Sequence, residues 1–201
     1  MVDLRSIIGD VRVTIRHLII ESAEAKRALL DDVLVDQVAD LATLVGDALR
    51  RGNKVLFFGN GGSAADATHL AAEFVGRYVL DREPLNAVSL TDNGSALSGI
   101  GNDYGYDAVF ARQVRALGHP GDVAIGLSTS GRSRNVLEGL AEARRRGLHT
   151  AALTGAHGGK LPETAELCLR MPSQDTARIQ ECYMLVGHTV CELVEATLFE
   201  P

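Results

Sequence analysis

A histidine and a glutamate four residues apart, His69 and Glu73, would share one face of a helix. An imidazole and a carboxylate so placed can hold a divalent metal or divide a proton transfer between them. Such pairs are also common on solvated helix faces, so the neighbouring residues decide the reading. The helix would open at Gly59-Asn60-Gly61-Gly62-Ser63. Glycines there allow a ligand close to the backbone, and Asn60 and Ser63 add polar side chains, although a tight turn capped by Ser63 has the same composition. A second loop, Ser128-Thr129-Ser130-Gly131-Arg132-Ser133, carries four hydroxyl residues in six positions. Hydroxyls, free amides and a helix dipole suit a phosphate dianion without requiring a lysine; the alternative is a serine-rich capped turn. Neither loop ends in Gly-Lys-Ser/Thr, so nucleotide hydrolysis is not expected. Near the C-terminus, Arg178-Ile179-Gln180-Glu181 precedes His188. Gln180 and His188 are separated by about 12 Å along a helix axis, so only two side chains converging from either end would reach one metal. A lone helical histidine can equally be a satisfied core or surface residue.

These groups need elements to hold them. Leu4, Ile7, Ile8, Val11, Ile15, Leu18 and Ile19 recur at helical spacing, and a second apolar stripe runs from Asp32 through Leu34, Val35, Val38, Leu41, Val45 and Leu49 to a stop at Gly52. Residues 1–52 therefore read as an antiparallel helical pair covering the main domain or making a subunit interface. Beyond it, apolar runs at 54–58, 87–90, 122–127, 149–153 and 166–171 alternate with helical stretches at 63–76, 106–117 and 133–146. That alternation predicts a three-layer α/β fold with a central, mainly parallel five-stranded sheet flanked by helices. Pro172 ends the last strand, and Asp175 or Thr176 starts a long helix to about Leu198. In such sheets ligands bind beyond the carboxyl ends of the strands, where both polar loops fall.

The 201 residues fit a single domain, with the helical pair at 1–52 and the α/β core at 53–201. Hydrophobic residues at 46% and charged residues at 23% exclude a disordered chain. A net charge of −6 is the wrong sign for a protein that neutralises nucleic-acid phosphates. Cys168, Cys182 and Cys191 lie in apolar runs and are expected to be core thiols rather than a redox set. No signal peptide is visible, and no run of 18 uninterrupted apolar residues occurs, so a cytoplasmic protein without membrane contact is expected.

In order and spacing, five motifs resemble the sugar isomerase (SIS) domain proteins, specifically the sedoheptulose 7-phosphate isomerases, or phosphoheptose isomerases. They are Gly59 to Ser63; His69-Leu70-Ala71-Ala72-Glu73 followed by Gly76-Arg77-Tyr78; Gly101-Asn102-Asp103; Ser128 to Ser133; and Arg178 to Glu181 with His188. The resemblance covers nearly the full chain. It implies a homotetramer with active sites at subunit boundaries, each holding one Zn2+ through His69, Glu73, Gln180 and His188. It further implies that Asn60, Gly61, Gly62, Glu73, Asn102, Asp103, Ser128, Thr129, Ser130, Ser133 and Gln180 bind the sugar phosphate, with Glu73 and His188 as the catalytic proton-transfer pair. The implied reaction converts sedoheptulose 7-phosphate to D-glycero-D-manno-heptose 7-phosphate. Ala64 and Ala65 stand where some members carry larger residues, Arg132 where asparagine is frequent, and Tyr183 where histidine is common. A related SIS group resembles the chain around Leu90 to Asn93, Arg112 to Gly118 and Leu198-Phe199, and serves as a non-catalytic adaptor for the bacterial replication initiator. That group does not hold both residues of the pair matching Glu73 and His188. An isomerase of another sugar phosphate is the third reading.

Overall fold

The computed structural model describes residues 10–199, which leaves Leu4, Ile7 and Ile8 outside the described residues. Helix α1 (Val11–Arg27) starts at Asp10, whose carboxylate accepts from the Arg12 N–H at 2.9 Å. Helix α2 (Asp32–Arg50) starts at Asp31, which accepts from the Leu34 N–H at 3.2 Å. Each carboxylate satisfies a donor that its helix cannot pair.

Five strands follow: β1 (Val55–Gly59), β2 (Ala87–Ser89), β3 (Val123–Ser128), β4 (His149–Thr154) and β5 (Leu167–Arg170). All their pairings are parallel, in the order β2-β1-β3-β4-β5. Within the central strands the side chains alternate between two cores. Val55, Phe57, Val123 and Ile125 pack under α2, α3 (Gly62–Val75) and α8 (Thr176–Phe199). Leu56, Phe58 and Ala124 face the other way, toward α5 (Val109–Leu117) and α6 (Arg134–Arg145). The result is the expected three-layer α/β arrangement.

The strands lie within one or two residues of their expected bounds. The stretch at 106–117 divides into a 3-10 turn, Tyr106–Ala108, and α5. Helix α4 (Gly94–Tyr104) is absent from the sequence reading for a physical reason: Gly94, Gly99 and Gly101 lower its propensity, and only Leu97 and Ile100 pack, half-buried, on the core, so its apolar stripe is short. Its N-cap is the one legible sign, Asn93 accepting from the Ala96 N–H at 2.9 Å. The single turn α7 (Leu161–Thr164) is likewise too short for periodicity to reveal.

The two N-terminal helices form, but not as a hairpin pair. Helix α1 packs against α8, to which it is tied by Ser22 and Lys26 bonding Glu181 at 2.5 and 3.2 Å and by Arg178 donating to the Leu18 carbonyl at 2.9 Å. Its apolar stripe is not buried by its own chain: Val11, Ile15, Leu18 and Ile19 remain 59%, 51%, 47% and 63% exposed. The stripe of α2 does go inward, with Leu34, Leu41, Val45 and Leu49 buried.

Helix α8 is long and apolar enough to cross a membrane by length and composition alone. Here it packs on α2 and α3, and near its end it carries Glu195, whose side chain is 2% exposed. That carboxylate accepts from the N–H groups of Tyr78, Val79 and Leu80 at 2.8, 2.8 and 2.9 Å and from Arg82 Nε at 2.8 Å. Burial alone would raise the Glu195 carboxyl, and these donors outweigh it, leaving it below the usual range. Its stabilising contribution is complete above the ordinary glutamate value of ~4.3 and is lost as the pH falls through the lowered native value. Glu195→Ala, which strands the buried Arg82 guanidinium, is expected to cost about 3–5 kcal/mol at neutral pH. Urea denaturation should show the gap to wild type narrowing as the buffer is taken below the glutamate range.

Candidate active site

Helices α3 and α8 run side by side in the same direction. Gln180 covers Gly62 at the start of α3, and further along Leu70 packs on Gly187. A Cβ on Gly187 would collide with the Leu70 side chain, so the missing side chain permits the close approach. One residue from each contact, His69 and His188 face one another, 119 residues apart in the chain.

Their Nε2 atoms are 3.1 Å apart, and His69 Nε2 is 3.0 Å from Glu73 Oε1. One ligand atom from each of His69, Glu73 and His188 falls within 4.8 Å of the others. Two ligands bound to zinc at ~2.0–2.1 Å and a tetrahedral angle would be roughly 3.3 Å apart, so the spacing and the nitrogen and oxygen donors fit such an ion. The His69 side chain is 50% exposed and that of Glu73 24% exposed, leaving the group open to a ligand from solvent. Gln180 rests on Gly62, seven residues before His69 on α3, about 10 Å along the helix axis.

The two polar loops leave the sheet next to each other because β1 and β3 are neighbours, with Gly59 paired to Leu127. The strand order reverses there, since β2 lies on the other side of β1. Gly61 takes φ +56°, a left-handed conformation that favours glycine, and turns the chain into α3. Among the described residues nothing accepts the N–H groups of Gly61, Gly62 or Ser63, nor those of Ser130 and Ser133. In the second loop the Ser128 and Ser133 hydroxyls are 2.9 Å apart, so Ser133 is not used as a side-chain cap on α6. Free amides, hydroxyls and two helix N-termini thus meet at one corner, and these are groups that suit an anion.

Asn60 is fixed by a residue that the sequence reading did not single out. Its amide and that of Asn135 exchange hydrogen bonds at 2.9 and 2.8 Å, and the Tyr106 hydroxyl donates to Asn60 Oδ1 at 3.1 Å. Asn135 follows the hydroxyl loop by two positions, and nothing in its spacing marks it. Asp66, one turn before His69, is pushed up to about 6 by burial, with His69 opposing the rise, and its Oδ2 is buried without a partner. Asn102 and Asp103, at the exposed end of α4, bond to each other at 2.8 Å and to neither loop. Arg132 is exposed, whereas Tyr183 is fully buried and donates to the Leu153 carbonyl at 2.9 Å, so it supports the sheet rather than the site. Cys182 and Cys191 are buried and Cys168 half-buried; burial pushes the Cys168 thiol up to about 11 and Cys191 up to about 12, which leaves them protonated packing groups.

The all-parallel sheet is that of an SIS-class protein, and residues 21–155 match the SIS domain family. A phosphoheptose isomerase of Aquifex aeolicus is 50% identical over 186 residues, spanning 92% of this chain and 97% of that protein. The structure of a phosphoheptose isomerase from Neisseria gonorrhoeae superposes with a TM-score of 0.87 at 43% identity, over 92% of this chain and 99% of that one. One from Francisella tularensis gives 0.89 at 33% identity, over 92% and 98%. The chain belongs to the phosphoheptose isomerase family and is an isomerase.

Forcing α3 and α8 apart should weaken the protein at this seam. Gly187→Val is expected to cost about 1–3 kcal/mol through overpacking against Leu70, measured by chemical denaturation.

Proposed function

We propose that the chain interconverts sedoheptulose 7-phosphate and D-glycero-D-manno-heptose 7-phosphate, with Glu73 and His188 moving the proton. One observation carries this: a carboxylate on α3 and an imidazole on α8 share His69 as a common neighbour, at 3.0 and 3.1 Å. The adaptor reading needs no such pair, and the relatives are isomerases.

The phosphate of the substrate rests in the loop of Ser128, Thr129, Ser130 and Ser133, held by hydroxyls and free amides. Asn60, Gly61, Gly62 and Gln180 line the sugar chain between that loop and the His–Glu–His group, and Asn102 and Asp103 meet it from α4. His69, Glu73, Gln180 and His188 would hold one Zn2+ per subunit, a set of nitrogen and oxygen donors that suits this ion. A bound zinc supplies a positive charge that polarises the carbonyl and hydroxyl oxygens of the reacting carbons.

In the forward direction the ketose carries its carbonyl at C2. One member of the Glu73–His188 pair takes a proton from C1, and the C1–H electron pair forms the C1–C2 double bond of an enediolate. The other member assists transfer of the hydroxyl proton and return of a proton to C2, which leaves the carbonyl at C1. Atoms and charge balance without a redox cofactor.

The exposed apolar face of α1 supports a homotetramer with its active sites at subunit boundaries. Leu29, Leu30, Val35, Leu185 and Leu193 line an open groove between α2 and α8 that extends this face. A phosphorylated metabolite as substrate goes with a cytoplasmic location.

Glu73→Gln should fold and assemble as wild type but lose kcat on sedoheptulose 7-phosphate by at least about a hundred-fold; retained kcat rejects the assignment. Ser130→Ala should raise KM more than it lowers kcat, and dialysis against a chelator should abolish turnover until Zn2+ is restored. Profiling against five- and six-carbon ketose phosphates separates this substrate from shorter ones. Ile19→Asp should shift the protein to a smaller species in analytical ultracentrifugation.

A further inference from the structure

Only one ring nitrogen of His188 is engaged. Its Nε2 meets His69 Nε2 at 3.1 Å, while no hydrogen bond reaches its Nδ1 among the described residues. A histidine that binds a metal or moves a proton usually has its ring plane set through the second nitrogen, by a carboxylate or a carbonyl. The Tyr78 ring lies against the imidazole with centroids 5.2 Å apart and planes 25° apart, within the range of offset stacking.

Tyr78 itself is held. It follows α3 in a segment without helix or strand, whose N–H groups at Tyr78, Val79 and Leu80 all donate to Glu195. Arg82 closes the same carboxylate and also donates to the carbonyls of Glu73 and Phe74 at 2.9 and 2.7 Å. The Arg82 and Glu195 side chains are each 2% exposed, so water does not compete for these bonds. Glu195, two turns beyond His188 on α8, thus anchors both the ring packed on His188 and the end of the helix that carries Glu73.

We propose that Tyr78 is a positioning residue for His188, fixing the imidazole plane by stacking, with Glu195 and Arg82 as its anchor. This rests on the reading of His188 as a zinc-binding, proton-transferring group. The ring is the working part, because the Tyr78 hydroxyl makes no hydrogen bond among the described residues.

The test compares full-length wild type with Tyr78→Phe, Tyr78→Leu and Tyr78→Met. It measures kcat and KM on sedoheptulose 7-phosphate, the Zn2+ dissociation constant of chelator-stripped protein by competition with a chromophoric chelator, and thermal unfolding. Tyr78→Phe should stay within about two-fold of wild type, whereas Tyr78→Leu should lose about ten-fold in both kcat and Zn2+ affinity, with KM within about two-fold because the phosphate loop is untouched. Tyr78→Met, closer in volume, replaces the leucine variant if that one does not fold. Folded Leu or Met variants with wild-type kcat and Zn2+ affinity overturn the proposal, as does a Tyr78→Phe loss equal to that of Tyr78→Leu. Failure of wild type to turn over the heptulose phosphate would refute the functional reading instead, and the Zn2+ measurement would still decide the role of Tyr78.

Discussion

The contact of Leu70 with Gly187 controls the distance between α3 and α8, and the site depends on that distance. Each helix carries part of the reactive group, His69 and Glu73 on one and His188 on the other. Side chains of this length converge on a single small ion only if the helix backbones approach closely. A glycine in one helix opposite a leucine in the other achieves this, and the leucine side chain fills the volume that the glycine leaves.

The sheet performs the matching task for the phosphate end. Its all-parallel order places β1 beside β3, so two loops far apart in sequence emerge side by side with unpaired amides at the same edge. Helix α3 joins the two regions, since its N-terminus belongs to the glycine loop and its later turns carry His69 and Glu73. In the proposed reaction one rigid helix thus sets the separation between the phosphate and the reacting carbons, so that binding energy from the remote phosphate can be spent on orientation at the carbonyl.

Buried polar contacts hold these elements in register. Asn135 locks Asn60 by a two-way amide exchange across the two loops, and Glu195 gathers the segment after α3 onto α8. In each case a polar group that would be costly to bury alone has hydrogen-bond partners. Breaking either lock leaves its partner stranded, which gives the arrangement its specificity. The N-terminal helix differs, as it packs on α8 but leaves Val11, Ile15, Leu18 and Ile19 exposed.

The sequence by itself determined the elements and the chemistry. Short apolar runs between helical stripes dictate a parallel sheet, and the residue types at His69, Glu73, His188 and the two loops dictate which ligands can bind. Helix α4 was hidden because a glycine-rich helix with only Leu97 and Ile100 turned to the core leaves little periodic signal. Only the tertiary structure decided which groups meet. It brought His188 to His69 and Glu73 and set Gln180 against Gly62, because the register of α3 on α8 is set by side-chain volumes at the seam. It also turned the first apolar stripe outward and revealed Asn135, Tyr78 and Glu195, whose roles exist only through partners distant in the chain. Spacing along a chain records local periodicity, whereas contacts between elements depend on how their surfaces fit.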